Sequence, residues 1–298
     1  MSPIRRKARK TASPVVTIEG ERVHARSPEG AEAAMSVADF SEGLRSGLPD
    51  TRGIVWPEGT ASLEPAGSGF VLVHQTPPAV HGFRWIAADS ECEYGPGTAY
   101  REVRLALPFL VVLAVFERGG RSGRIQLGGR NECFFASRPL ARQGMDTPLF
   151  FPALLNCSRF PDEPAHPLSW ICTQHLPPDE YARRDSLAHA VHDGLQALLR
   201  HLLESGFNRS SEHHELSSWF TETVNAGVDP RLASVEAWEA ASAEDPLFVL
   251  HVPWLPTGRT LGQVIERIRE QRGSRRIRTA QDVARVVLNS QRHVRRKA

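Results

Sequence analysis

Two of the chain's four cysteines lie in one proline-rich segment, residues 147–178, together with one asparagine and two histidines. The four are Cys92, Cys133, Cys157 and Cys172. No apolar stretch follows the basic start of the chain, so no secretion signal is predicted and we expect reduced thiols. A reduced cysteine can fill a core, bind a metal or act as a nucleophile. The segment is therefore a candidate for each of these three roles.

The first interpretation of the segment is a metal site. Cys157, His166, Cys172 and His175 follow one another with the spacing C-x8-H-x5-C-x2-H. Structural zinc sites usually include close pairs of ligands such as C-x2-C, and only Cys172 and His175 are that close here. We therefore predict no metal and no cofactor.

The second interpretation of the thiols is structural. Free cysteine is among the most buried residue types, and we assign Cys92 and Cys133 to the core. For Cys157 and Cys172 the sequence leaves the choice between a core residue and a nucleophile open.

The elements around the segment predict an α+β fold. Short runs rich in Val, Ile and aromatic residues, separated by Gly and Pro, begin at Gly53 and indicate a meander of antiparallel strands. After the segment, apolar residues recur at helical spacing from Leu187 to Leu203. Shorter helices with proline-marked breaks follow, which predicts flanking helices and a C-terminal helical lobe.

This order of parts resembles the ubiquitin-conjugating (E2) domain, in which a strand meander, an asparagine, an irregular loop, a cysteine and helices follow one another. In this chain TPLFFPALLN corresponds to the extended segment that ends at the asparagine, Asn156, and WIC contains the cysteine, Cys172. The segment looks most like the prokaryotic E2-like family that includes the PRTRC system protein B group. Leu154 and Leu155 replace the His-Pro of the E2 motif, and sixteen positions separate Asn156 from Cys172. The stretch SRFPDEPAHP must therefore form an insertion.

The resemblance implies a UBC-like fold and a transferase that works through a thioester. Cys172 would carry the C-terminus of a ubiquitin-like protein and pass it to an amine. Asn156 matches the residue that supports the oxyanion or the active-site loop in the family. His175, three residues past the thiol, is our candidate acid or base. The implied partners are an E1-like adenylating enzyme, a ubiquitin-like protein and a JAB-type peptidase.

Composition divides the chain into four parts. We predict a basic, loosely ordered extension at 1–50, an E2-like domain at 51–207, a helical lobe at 208–270 and a basic tail at 271–298. The first ten residues carry five basic and no acidic side chains, and residues 271–298 carry nine basic and one acidic. Basic ends of this kind can bind nucleic acid.

Two alternatives to the enzyme follow from these features. One is a non-catalytic E2-like scaffold that binds an E1 or a ubiquitin-like protein, and the other is a nucleic-acid-associated accessory protein that uses its basic tails. The longest apolar run, residues 105–116, contains a proline and is too short to span a bilayer. We therefore expect a cytoplasmic protein without membrane contact.

Overall fold

The computed structural model describes the chain in two units. The described residues are 14–28, 30–40, 54–67, 69–86, 101–119, 124–140, 144–153, 157–160, 162–163, 166–171, 173, 176, 186–204, 207–208, 227–272, 283–284 and 287. Residues 1–49 together with 274–298 form the smaller unit, and residues 50–273 form the larger unit.

The smaller unit contains an antiparallel sheet of three strands. β1 (Val15–Glu19), β2 (Arg22–Arg26) and β3 (Glu32–Ser36) pair in chain order. Gly20 begins the two-residue turn between β1 and β2 with φ at +57°, in the left-handed region that glycine adopts without strain. The first hairpin of the chain is therefore specified by its own turn residue.

One face of this small sheet is buried. Val23, Ala25 and Ala33 form an apolar cluster with Ala284 and Val287, which come from the other end of the chain. The structure thus differs from the loosely ordered extension predicted for 1–50, because three strands lie between residues 15 and 36. The buried apolar residues of these strands, Val23, Ala25 and Ala33, are small, and the cover that buries them lies about 250 positions later in the sequence.

The larger unit is built mainly from antiparallel strands. They are, in chain order, β4 (Thr60–Ala66), β5 (Gly69–Thr76), β6 (Ala79–Ile86), β7 (Arg101–Leu107), β8 (Phe109–Gly119), β9 (Arg124–Leu127), β10 (Glu132–Ala136), β11 (Pro148–Phe150), β12 (Cys157–Arg159), β13 (Ser169–Ile171), β14 (Phe207–Asn208) and β15 (Pro256–Thr260). Nine of them form one sheet with the main order β12-β13-β10-β8-β5-β4; β9 pairs with β8, β11 with β10, and β15 with β11. The other three form a second sheet in the order β14-β6-β7.

The four strands from β5 to β8 make one long two-stranded ribbon. β5 pairs with β8 and β6 with β7, and the register of the first pair continues without a shift into the second. Pro77, Pro78 and Pro108 lie between the two paired stretches, and proline has no N–H for a ladder hydrogen bond. The ribbon therefore leaves the nine-stranded sheet at these prolines and continues in the second sheet.

Helices cover both faces of the nine-stranded sheet. The three longer helices are α1 (Leu187–Glu204), α2 (Val235–Glu244) and α3 (Leu261–Gln271). A Cβ on Gly194 of α1 would come within 3.0 Å of the Phe116 ring, so glycine permits this close approach. On α3, Arg269 binds Glu64 of β4 at 2.6 Å. Phe116 and Glu64 point to opposite faces, since their cross-strand partners are consecutive residues of β5.

The predicted α+β class is confirmed, with mostly antiparallel strands and a few helices, and α1 is the long helix that the sequence predicted. The region predicted as a helical lobe, 208–270, also contributes β15, which pairs with β11. It shares one unit with the region 51–207. None of the helices in the described ranges has the length and apolar character needed to cross a membrane.

Candidate functional site

A short hairpin lies within the cysteine segment 147–178. Its strands are β12 and β13, with Cys157 paired to Ile171 at the open end and Arg159 paired to Ser169 near the loop. Residues 160–168 connect the strands and are called the hairpin loop below. The predicted insertion SRFPDEPAHP consists of the end of β12 and most of this loop.

Glu132 of β10 holds the hairpin to the sheet. Its side chain is buried, and its Oε2 accepts the backbone N–H groups of Leu168 at 2.8 Å and Ser169 at 3.1 Å. Burial raises the pKa of this carboxyl, whereas the two N–H groups and the charge of Arg267 act in the opposite direction. A buried carboxyl with two backbone donors fixes the place where β13 begins.

Arg267 of α3 holds the hairpin loop to the helix. Its guanidinium donates to Asp162 Oδ1 at 2.5 Å, to the carbonyl oxygen of Glu163, and to the carbonyl oxygen of His166 at 2.6 Å. Arg267 is only 9% exposed, which is unusual for arginine. Gln271, one turn later, also donates to the His166 carbonyl at 2.8 Å. The loop is thus bound through its carbonyl groups to α3 and through its N–H groups to Glu132; we call Glu132 and Arg267 the loop clamp.

Two ionisable side chains of the hairpin loop, Asp162 and His166, are engaged in local contacts. Asp162 accepts from Arg259 at 2.6 and 2.9 Å in addition to Arg267. The His166 ring stacks on Phe160 with 5.5 Å between the ring centroids. These contacts give both side chains a role in the shape of the loop.

The two described cysteines are core residues. Cys133 is fully buried and Cys157 is 3% exposed. Burial, together with the neighbouring thiol of Cys157, raises the pKa of Cys133 well above its ordinary value. The thiolate is the nucleophilic form of cysteine, so the raised pKa makes Cys133 a poor nucleophile, and burial keeps the Cys157 thiol out of reach of a partner. The core assignment of Cys133 is confirmed, and the burial of Cys157 favours the same role.

The three predicted catalytic residues, Cys172, Asn156 and His175, lie outside the described residues, as does Cys92. In the sequence, Asn156 directly precedes β12 and Cys172 directly follows β13. The β12–β13 hairpin therefore occupies the sixteen-position gap between them.

Two members of the C-x8-H-x5-C-x2-H series are described. Cys157 is buried in β12, whereas His166 is exposed on the hairpin loop. Within the described ranges, no three His, Cys, Asp or Glu side chains form a group that could hold a metal ion.

Sequence reasoning missed both members of the loop clamp. Glu132 had a detectable signal, because an acid that begins the buried strand ECFFA must find hydrogen-bond donors. Arg267 had no such signal in the sequence, since arginine in an amphipathic helix is usually assigned to the exposed face.

No family model, no curated protein and no solved structure matches this chain.

Proposed function

We propose that the chain is an E2-like carrier, which takes the C-terminus of a ubiquitin-like protein onto Cys172 as a thioester and passes it to an amine. The observation that carries this proposal is the β12–β13 hairpin. Its open-end pair, Cys157 and Ile171, directly adjoins Asn156 and Cys172 in the chain. Paired residues of an antiparallel ladder lie about 5 Å apart. The described residues that adjoin Asn156 and Cys172 in the sequence are therefore neighbours across the ladder, and this pairing supports the proposal.

The burial of other thiols supports Cys172 as the reactive one. Cys133 and Cys157 have almost no solvent exposure, so neither of these two described cysteines offers an accessible thiolate. The loop clamp supports the same proposal, because it fixes the β12–β13 hairpin against both the sheet and α3. The antiparallel sheet followed by α1 fits the order of parts of a UBC-like fold.

The proposed reaction has two steps. The Cys172 thiolate attacks the thioester carbonyl carbon of the ubiquitin-like protein on an E1-like enzyme; a new C–S bond forms, and the E1 cysteine leaves as a thiolate. An acceptor amine then attacks the same carbon, Cys172 leaves as a thiolate, and the nitrogen loses a proton. His175 is the proposed base for that proton, and the Asn156 side chain is the proposed donor to the oxyanion. A JAB-type peptidase is the proposed partner that removes the modifier, by hydrolysing the new amide bond to a carboxylate and an amine. A reducing cytoplasm is the proposed setting, because the thiol stays free there.

The test uses the full chain with an E1-like adenylating enzyme and a β-grasp ubiquitin-like protein, with ATP and magnesium. Non-reducing electrophoresis is expected to show an adduct that dithiothreitol removes. Cys172→Ala should abolish this adduct. Cys133→Ala, which removes a buried thiol, is the matched control and should retain it.

Other outcomes would contradict parts of the proposal. An adduct that persists in Cys172→Ala but is lost in Cys157→Ala would transfer the reaction to Cys157. No adduct on the wild-type chain, with the β-grasp protein still retained in a pull-down, would favour the alternative of a non-catalytic E2-like scaffold.

A further inference from the structure

The first strand of the small sheet has one unpaired edge, which we call the outer edge of β1. Among the described strands only β2 pairs with β1. In an antiparallel pair, alternate residues bond to the partner strand, and the residues between them point their N–H and C=O groups away from it. The two-residue turn begins at Gly20, so Glu19 and Arg22 form the bonded pair that closes the hairpin. Counting back along β1, Val16 and Ile18 therefore direct their backbone groups outward, and no described residue bonds to those groups.

The outer edge of β1 lacks the features that usually prevent further pairing. The strand, VVTIE, consists of β-branched residues and one acid, without lysine, proline or a bulge in its register with β2. Pro14 directly precedes the strand and limits the edge to this length, because proline has no N–H. Ile18 is 68% exposed, although its cross-strand partner Val23 belongs to the apolar cluster of the small sheet. The edge thus offers free backbone groups beside an uncovered apolar side chain, which another strand would satisfy and cover.

We infer that this other strand is β1 of a second copy of the chain, paired antiparallel about a two-fold axis at Thr17. In this register Val16 pairs with Ile18 of the other copy, and Ile18 pairs with its Val16, so each copy uses both outward residues. Each of these two pairs makes two backbone hydrogen bonds. Moving one strand by two residues would place Pro14, which has no N–H, opposite Ile18, or would place Gly20 of the turn opposite Val16.

The side chains on the core side of the sheet fit the same register. Val16 packs against the apolar cluster, and Ile18 lies on the same face because their partners, Ala25 and Val23, both belong to that cluster. In the dimer, Val16 of one copy lies beside Ile18 of the other on this face. Pairs of β-branched residues stabilise neighbouring strands, so the apolar cluster would continue across the axis.

The polar face of the sheet is also self-complementary. The two Thr17 side chains lie directly opposite each other in the closer type of cross-strand pair, and threonine pairs of this kind are favourable. Glu19 lies opposite Val15 of the other copy, whose neighbour on β2 is Arg26. The acid of one copy is therefore two strand spacings, about 10 Å, from Arg26 of the other, and the two Glu19 residues are about 13 Å apart along the strands. Opposite charges are thus brought near each other, and like charges are kept apart.

The expected dimer is closed and weak. Each copy uses its β1 edge once, so pairing about a two-fold axis ends with two copies. A strand of five residues is much less than the roughly 20–30 residues that a standard interface contributes on each side. The dissociation constant should therefore lie in the range of about 10–100 µM.

The first experiment measures the mass of the full chain by sedimentation equilibrium, over protein concentrations from about 1 to 500 µM, which bracket the expected constant. Thr17→Lys places two like charges opposite each other at the axis and should raise the dissociation constant at least about fivefold. Ala61→Lys is the matched control, because it adds the same charge at an exposed position of β4, the last strand in the main order of the larger sheet. It should change the constant less than about twofold. Circular dichroism checks that both variants remain folded.

The second experiment tests the register by cross-linking, in a chain whose Cys92 and Cys172 are replaced by alanine. Thr17→Cys should form an intermolecular disulfide when copper phenanthroline and air oxidise the two thiols, since directly opposite Cα atoms about 4.5 Å apart suit a disulfide. Val15→Cys is the matched control, because Val15 is exposed on the same face. The two Val15 residues are about 13 Å apart along the strands, so this variant should cross-link at least about fivefold more slowly.

Four results would overturn the inference. A wild-type chain that stays monomeric throughout the concentration range would leave the outer edge of β1 to a strand of a different protein. A dimer that Thr17→Lys does not weaken would use another surface. Equal weakening by Thr17→Lys and Ala61→Lys would indicate a response to total charge. Equal cross-linking rates of the two cysteine variants would indicate random collisions in place of pairing at Thr17.

Discussion

The two short hairpins of this chain are held in opposite ways. In the β1–β2 hairpin, a two-residue turn with Gly20 at φ +57° connects strands whose charged residues are exposed. In the β12–β13 hairpin, the strands are three residues long and the hairpin loop is bound by Glu132 and Arg267 from distant parts of the sequence. The first is specified locally, and the second is specified by buried polar contacts made after the sheet and α3 have assembled.

This difference has consequences for stability. A substitution in a solvated turn lowers the free energy of unfolding only slightly, because water replaces the lost hydrogen-bond partner. A substitution in a buried hydrogen-bond network lowers the free energy of unfolding much more, because the remaining polar groups lose a partner that water does not readily replace. The four predictions below test that contrast, beginning with the largest expected effect.

Arg267→Ala should lower the free energy of unfolding by about 2–4 kcal/mol, measured by urea denaturation. The change removes three hydrogen bonds from a guanidinium that is only 9% exposed, and it leaves the carbonyl oxygens of Glu163 and His166 with one donor each, the His166 N–H and Gln271. Arg259→Ala is the matched control, because both side chains of the Arg259–Asp162 pair are more than 40% exposed. Arg259→Ala should lower the free energy of unfolding by less than about 1 kcal/mol. Equal losses in the two variants would mean that burial does not distinguish the loop clamp.

The second prediction concerns the pH dependence that Glu132 confers. Burial raises its pKa in the folded state above the ordinary value of 4.5, so the folded chain holds this proton more tightly than the unfolded chain. The contribution of Glu132 to stability is therefore fully present below pH 4.5 and is lost as the pH rises through the raised pKa. The free energy of unfolding of the wild type minus that of Glu132→Gln should fall between pH 4 and 8, by about 1.4 kcal/mol for each unit of increase in the pKa.

A difference that rises with pH would contradict this expectation. It would mean that the N–H groups of Leu168 and Ser169, with Arg267, stabilise the ionised carboxyl more than burial destabilises it. Urea titrations of both proteins in the same buffers give the comparison directly.

The same contrast explains which parts of the fold the sequence could predict. The strands between Gly and Pro and the helix α1 follow from local periodicity, so the α+β class was predictable. The small sheet was missed because its apolar cover, Ala284 and Val287, comes from the far end of the chain. The loop clamp was missed for the same reason, since Arg267 lies 105 positions beyond Asp162. The roles of Cys172, Asn156 and His175 stay predictions.

The third prediction tests the local specification of the β1–β2 hairpin. Gly20→Ala should destabilise this hairpin by about 1 kcal/mol, because a residue with a Cβ is strained in the left-handed region. Apart from its neighbours in the chain, no residue has an atom within 4 Å of the position that the new Cβ would take, so the expected cost is backbone strain. Hydrogen exchange of the β1 and β2 amides should accelerate about fivefold. Gly20→Asn, which tolerates this conformation, should accelerate exchange less; equal effects would indicate that strain at Gly20 does not hold the turn.

The smallest effect is expected at the Arg26–Glu32 ion pair, whose side chains are 65% and 61% exposed. Solvent and salt screen an exposed pair of this kind, so Arg26→Gln should change the free energy of unfolding by less than about 0.5 kcal/mol. Arg26 and Arg267 both bind carboxylates, and what separates them is burial and the number of backbone groups that depend on the guanidinium. Urea denaturation of Arg26→Gln beside Arg267→Ala measures that separation. A loss at Arg26 as large as that at Arg267 would mean that the small sheet also depends on its charged side chains, and that its turn does not suffice to specify it.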